Sequence, residues 1–432
     1  MSGAGVEAVT MPVPAASGAA RQAAGLPRML PPVPGTQEDL RAHLARFGQV
    51  PKSTNLIETL ETAGLTGRGG AAFPVHRKLT VARTARGRKV MIGNGAESEP
   101  ASRKDAVLLR HAPHLVLDGL QLAAEAIGAS QVYLYLHQGQ HDSIAKALKE
   151  RAGIDQREVH IALAPPRFLA GQETALVNRI EGGPALPTFT PPRVPERGIG
   201  VHNVETLAHL ALIARYGPHW FRQSGTSTEP GTMLTTIHTT TRSPSIREIP
   251  LGTPLNELIN TRYAQAVLIG GYHGTWLGQT AAEHVTLDNA TLSKHGAALG
   301  AGVIAALPEN ACGLKEAARV TRYLAAESAG QCGPCLNGLP RIAAAMAELA
   351  GRKPSRKARE DTERWLTLVT DRGACRHPDG TVRFVSSALT VFAEELTLHT
   401  KGHCSAASSG ATAHQPFLPL PNTMPSTEAD WT

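Results

Sequence analysis

The sequence predicts a mixed α/β chain: a mostly parallel sheet covered by helices first, a compact β unit next, and a helical region carrying cysteines last. Three observations carry this expectation. Apolar strand-like runs alternate with stretches of helical spacing between residues 89 and 180, the βαβ rhythm of a doubly wound sheet. Two further strand-like runs then flank one short helical stretch between residues 233 and 270. Beyond them only helical stripes follow, and they bracket Cys332, Cys335 and Cys375, three of the chain's five cysteines.

A chain of 432 residues exceeds what one hydrophobic core usually serves, and 42% apolar content is enough to fill several. Residues 1–36 are rich in Ala, Gly and Pro without apolar period, so a disordered N-terminal arm is expected. The α/β domain is placed at 37–230, the β unit at 231–285, the helical domain at 286–404, and a disordered Ser/Thr/Pro-rich tail at 405–432. The 43 Lys+Arg against 36 Asp+Glu give a formal charge of +7 spread along the chain, which argues against nucleic acid as a partner. With no apolar run of membrane-spanning length and no signal-like N-terminus, direct membrane insertion is not expected and a cytoplasmic, reducing setting is. Aromatics make up 4%, so Phe73, Trp220 and Trp276 carry individual weight, with core packing as the default role.

In the first domain the strands are read at 89–93, 132–136 and 159–163, and the helices around 117–127, at 142–151 and at 173–180. Ligands in such folds gather at the carboxyl ends of the strands. Two segments suit that place. Gly67, Gly69 and Gly70 let backbone N–H groups approach an anion, with Arg68 and Lys78 as nearby cations. Asn94, Glu97 and Glu99 directly follow the first strand, where an amide and two carboxylates can fix the polar edge of a flavin or nicotinamide. Each segment alone also fits a flexible turn or a solvated surface.

The β unit is read from strands at 233–238 and 266–270 around a helical stretch near 255–259. Helical stripes follow at Ala317, Val320 and Leu324, at Ile342, Ala345, Met346 and Leu349, and at Leu389, Phe392 and Leu396. Between them lies Gln331-Cys332-Gly333-Pro334-Cys335, with Cys375 farther on. Thiolates so close on a Gly/Pro turn can converge on one iron–sulfur cluster or zinc ion.

Gly64 to Pro74, Gly93 to Asp105, Ala170 through Gly182, Asn203 to Leu207 and Glu327 to Gly338 occur in the order and spacing of one family. Over roughly residues 50–400 the chain resembles the flavin-carrying, NADH-oxidising 51 kDa-type subunit of respiratory complex I, with its relatives in hydrogenases and formate dehydrogenases. The resemblance implies an α/β FMN-binding domain, a soluble-ligand-binding (SLBB-type) β-grasp domain and an α-helical iron–sulfur bundle. It implies FMN held by Gly67, Arg68, Gly69, Gly70, Lys78, Asn94, Glu97, Gly171, Glu173, His202 and Asn203. Phe73 and Glu99 would orient NAD(P)H, and Cys332, Cys335 and Cys375 would hold a [4Fe–4S] cluster. Electrons would leave through partner proteins, either a ferredoxin or membrane reductase subunits.

The chain also departs from that pattern. Ala329 stands where the first cluster cysteine belongs, which leaves one iron without a thiolate and nominates Cys312, Cys404, His377 or His403 as substitutes. A zinc site of Cys332, Cys335, Cys375 and His377 is the competing reading, and it would suit a flavin-binding or docking subunit with reduced catalysis. Val81 and Arg193 replace phenylalanines, Phe168 a tyrosine, Thr190 a lysine, Ala96 an acid, and Gln172 a glutamate. These changes thin the nicotinamide face, although Arg193 offers a cation to a 2′-phosphate.

Overall fold

The computed structural model describes residues 28–33, 35–52, 54–239, 243–408, 416–421 and 431. Its first sheet has four parallel strands, β1 (Val90–Asn94), β2 (Gln131–Leu136), β3 (Val159–Leu163) and β4 (Ile199–Asn203), in the order β3-β2-β1-β4. Three of these match the alternation read from sequence. β4 is the addition, and its register sets Asn94 beside Asn203, so β1 and β4 end side by side at one edge of the sheet.

Helix Pro113–Ile127 packs behind this sheet and is buried along nearly its whole length. Helix Val204–Phe221 lies against it so closely that a Cβ on Gly119 would come within 1.9 Å of the Leu207 carbonyl oxygen. Only glycine fits there. The Asn203 side chain accepts from the Glu205 N–H at 3.0 Å, starting that helix directly at the strand end. Caps of this kind are worth about 1 kcal/mol.

The second sheet comprises β5 (Thr232–His238), β6 (Ser245–Pro250), β7 (Ala264–Ile269), β8 (Thr275–Gly278) and β9 (Val303–Pro308), in the order β6-β5-β9-β7-β8. β5 and β9 run parallel, and the other pairs are antiparallel. Because residues 303–308 supply the central strand, the boundary expected at 285 falls inside this unit. The stretch expected to be helical near 255–259 is a 3-10 turn, Leu255–Glu257.

Helices Gly313–Ala326, Leu339–Leu349, Arg356–Val369, His377–Val391 and Ala393–Thr400 form the last unit. They share one apolar core with Tyr272 and Trp276 of the second sheet. The stripe at Leu389, Phe392 and Leu396 is split between two helices, with the break at Phe392. That ring packs edge-on to Trp276, 5.2 Å between centroids.

The arm and tail expected to be disordered are corrected where they are described. Met29 is fully buried, Arg28 stacks on Trp220 at 4.1 Å, and both backbone N–H groups donate to Glu248. In the tail, the Leu418 N–H donates to Glu316 at 2.8 Å and Trp431 covers the Arg167 guanidinium at 3.9 Å. Residues 1–27, 34, 409–415, 422–430 and 432 of those expectations lie outside the described residues. Among the described residues, no helix is long and apolar enough to cross a membrane.

Candidate functional site

A cavity of about 640 Å³ opens where the carboxyl ends of β1 and β4 face the second sheet and the helical unit. That size suits a small-molecule cofactor. Its wall gathers Gly67, Arg68, Gly69, Gly70, Phe73, Lys78, Asn94, Glu97, Glu99, Gly171, Glu173, His202 and Asn203 from well-separated stretches of sequence. Cys375 reaches the same wall, whereas Val81, Thr190 and Arg193 are not part of it.

The glycines act through what they lack. Gly70 has a φ of +109°, a conformation L side chains rarely adopt, and a Cβ on Gly69 would stand 3.2 Å from that of Asn203. A Cβ on Gly171 would come within 2.8 Å of the Ala96 carbonyl oxygen, so the third loop closes on the second. The Asn94 amide fixes the same contact by donating to the Gly171 carbonyl at 2.9 Å. Gln172, one of the departures, caps the helix Glu173–Ile180 by accepting from the Thr174 and Ala175 N–H groups.

Two expected ligand groups have structural partners instead. The Arg68 guanidinium is buried and donates to the carbonyls of Thr66, Pro230 and Thr232, tying the glycine loop to β5, so it is not a cation offered to a phosphate. Glu97 accepts from the N–H groups of Asp105 and Ala106 at 3.1 Å, capping the helix Lys104–His111. Lys78 remains the cation at the loop, 2.8 Å from Glu173 and donating to the Val201 carbonyl at 3.0 Å.

His202 and Glu99 are the wall's unsettled polar groups. The His202 Nε2 is buried without a hydrogen-bond partner, and burial, helped by Lys78, pushes the imidazole down to about 3. It is a neutral ring held ready to bond a bound molecule. Burial pushes the Glu99 carboxyl up to about 7, against the N–H groups of Tyr272 and Ala101 that donate to it. A carboxyl raised from its ordinary value of 4.5 binds its proton more tightly when folded, so its contribution is complete below 4.5 and is lost as pH rises through 7. Glu99→Gln is therefore expected to flatten the fall in melting temperature between pH 5 and 8. Superimposable curves for the variant and the parent would exclude this titration.

Beneath the wall lies a buried ionic knot. Lys104 meets Asp105 at 2.7 Å and Glu205 at 2.9 Å, and Asn203 donates to Asp105 at 2.6 Å. Burial alone would raise Glu205, but the Lys104 ammonium holds it down to about 2. Asp105 goes the other way, because burial outweighs Lys104 and lifts it to about 7. Lys104, His273 and Arg383 line the cavity although sequence reading named none of them. His273 comes from the turn between β7 and β8 and Arg383 from the helix His377–Val391, segments with no local motif.

Cys335 is buried, Cys332 hydrogen-bonds it, and Cys375 lies within electrostatic reach of both. Burial, then the neighbouring Cys332, pushes the Cys335 thiol up to about 12. The loop leads into a single π-helical turn, Pro334–Gly338. Position 329 packs against Leu169, Ala170, Ala185 and Trp431.

The zinc reading does not fit this arrangement. The His377 Nε2 faces the Leu324 carbonyl at 2.8 Å and its Nδ1 faces His273 at 3.0 Å, so both ring nitrogens are engaged. Zinc holds its sulfurs about 4 Å apart. Among the described residues, the metal-ligating groups whose atoms all lie within 4.8 Å of one another are Cys312, Glu395, His399 and Cys404, not the Cys332 set. That grouping also takes Cys312 and Cys404 away from the iron opposite Ala329. Three thiols with no available fourth nitrogen ligand suit a multi-iron centre.

Comparison with known proteins agrees with this geometry. Family models match over residues 60–212, described as the Nuo51 FMN-binding domain, and over 315–399, described as the NADH-ubiquinone oxidoreductase-F iron-sulfur binding region. The chain is 28% identical over 374 residues to the F 2 subunit of NADH-quinone oxidoreductase from Rhizobium meliloti, covering 80% of this chain and 88% of that one. The F-type subunit of the NADH-quinone oxidoreductase of Escherichia coli is 27% identical, with coverages of 79% and 83%. Among solved structures, an NAD+-reducing [NiFe]-hydrogenase in its H2-reduced state superposes with a TM-score of 0.72 at 26% identity, over 81% of this chain and 62% of the hydrogenase chain. The chain thus spans under two thirds of that hydrogenase chain. The air-oxidized form gives 0.73, over 85% and 67%.

Proposed function

Because the chain belongs to the family of the FMN-binding, NADH-oxidising 51 kDa-type subunit of complex I, we propose that it oxidises NAD(P)H at FMN and passes the electrons through an iron–sulfur cluster to a partner protein. The observation that carries this reading is one cavity whose wall holds both the glycine loop and Cys375, so a flavin there would adjoin the thiol cluster.

When bound, FMN supplies conversion of the electron pair of one hydride into two single electrons, and the cluster supplies a one-electron relay. The chain supplies position and charge. The Gly67–Gly70 backbone and Lys78 would hold the phosphate, while Asn94, Gly171, Glu173, His202 and Asn203 would fix the ring system, with the bare His202 Nε2 as a ready partner. Phe73 is 52% exposed at the rim, where its ring offers a stacking face to a nicotinamide. Glu99 can hold or release a proton beside the reacting atoms near neutral pH. Cys332, Cys335 and Cys375 would ligate the cluster, with one iron lacking a cysteine opposite Ala329.

The same reading makes the β5–β9 unit an SLBB-type β-grasp, a view supported by a parallel central pair with antiparallel hairpins outside it. It takes a ferredoxin or a membrane reductase component as acceptor, and a cytoplasmic setting. The test is a titration of FMN into the flavin-free full chain. Saturable fluorescence quenching at one FMN per chain is expected, weakened in His202→Ala, and an absence of quenching would overturn the reading.

A further inference from the structure

Cys312, Glu395, His399 and Cys404 form a second constellation, outside the cavity and outside the Cys332 set. One ligand atom from each lies within 4.8 Å of the others, and three of the four residues are buried. Two distant stretches build it. Cys312 immediately precedes helix Gly313–Ala326, while Glu395 and His399 sit one turn apart on helix Ala393–Thr400 and so share a face. Gly402, at a φ of +80°, then turns the chain so that Cys404 comes back to hydrogen-bond both Glu395 and His399.

The histidine shows where these donors converge. Its Nδ1 faces the Leu349 carbonyl at 3.3 Å, and its Nε2 faces Glu395 Oε1 at 3.0 Å and Cys312 Sγ at 3.5 Å. With the Leu349 carbonyl taking the Nδ1–H, the Nε2–H points at the Glu395 carboxylate and the Cys312 sulfur, and a metal displacing that one proton would meet the ring in the orientation found in ligating histidines. Glu395 is steadied in turn by the Ser405 N–H at 3.1 Å. Ligands at about 2.0–2.3 Å from a tetrahedral ion stand roughly 3.3–3.8 Å apart, close to the separations here.

We propose that Cys312, Glu395, His399 and Cys404 form a closed structural site for one zinc ion. Two thiolates, one imidazole and one carboxylate fill a tetrahedral shell, and softer sulfur with nitrogen selects zinc over calcium or magnesium. Binding displaces the two thiol protons and the His399 Nε2 proton to solvent, and no redox step is involved. The ion would clamp the start of helix Gly313–Ala326 to the segment 393–404, tying the last described helices to the β9 side of the unit. This does not depend on the flavin reading.

The experiment quantifies metals in the full-length chain purified anaerobically, alongside Co2+ titration of chelator-treated protein. About one zinc per chain is expected in addition to iron, with saturable Co2+ uptake giving the visible bands of a tetrahedral thiolate site. Zinc should persist in Cys375→Ala and fall at least about tenfold in Cys404→Ser and His399→Gln. The wild-type cobalt titration keeps the test valid if a variant misfolds. Three results would overturn the proposal: absence of both zinc and saturable cobalt uptake, zinc that disappears with Cys375→Ala but survives Cys404→Ser, or a Cys312–Cys404 disulfide in the intact mass.

Discussion

Cys375→Ala is expected to strip the iron from the chain while leaving its flavin in place. With Ala329 in the first cluster position, only Cys332, Cys335 and Cys375 remain, and two thiols on adjacent turns cannot retain a cluster alone. Iron per chain should fall at least about tenfold, and electron delivery to a one-electron acceptor on the order of a hundredfold. Bleaching of the flavin by NADH should persist, because the glycine loop, Lys78 and His202 are untouched. Ala329→Cys is the reverse arm: it offers the missing thiolate and should slow loss of iron in air. Iron unchanged in Cys375→Ala would remove the thiol from the cluster.

Lys104→Met should give the largest loss of stability among substitutions at the site. Lys104 is 3% exposed and neutralises Asp105 and Glu205 at 2.7 and 2.9 Å. Removing one partner of a buried ionic group leaves uncompensated charge, at a cost of about 3–5 kcal/mol. The sign with pH follows from the carboxyls. Without the ammonium, Glu205 is no longer held at about 2 and its folded value rises; an acid raised on folding loses stability as pH climbs through that value. Urea unfolding should therefore show a larger penalty at pH 8 than at pH 5, and Glu205→Gln added to Lys104→Met should recover part of it. A penalty below about 1 kcal/mol at both pH values would contradict the ionic knot.

Much of the first domain was legible because the strands of a parallel sheet covered by helices leave short apolar runs, and β1, β2 and β3 stand where those runs are. The glycine loop was legible for a similar reason, since glycine at Gly69 and Gly70 answers a local demand for space. β9 was not. Nothing local marks residues 303–308 as the partner of strands some 35 and 70 positions earlier, and only the sheet itself supplies that fact. Arg68 shows the same limit from another side: a guanidinium in a glycine loop reads as a phosphate cation, and its burial against three carbonyls is a tertiary outcome. The described residues of the tail were misread because isolated aromatics such as Phe417 and Trp431 carry no periodicity, although each finds an apolar or cationic partner. Site histidines fall between. His202 sits in a motif, but His273 and His377 meet only because a sheet turn and a helix start converge.

The most direct measurement is an anaerobic NADH titration of the full-length chain, following flavin absorbance and the iron–sulfur EPR spectrum together. Bleached flavin accompanied by a changed cluster spectrum is the expected result, with bleaching alone in Cys375→Ala. NADH that leaves both spectra unchanged in a chain loaded with FMN and iron would contradict electron entry at this cavity.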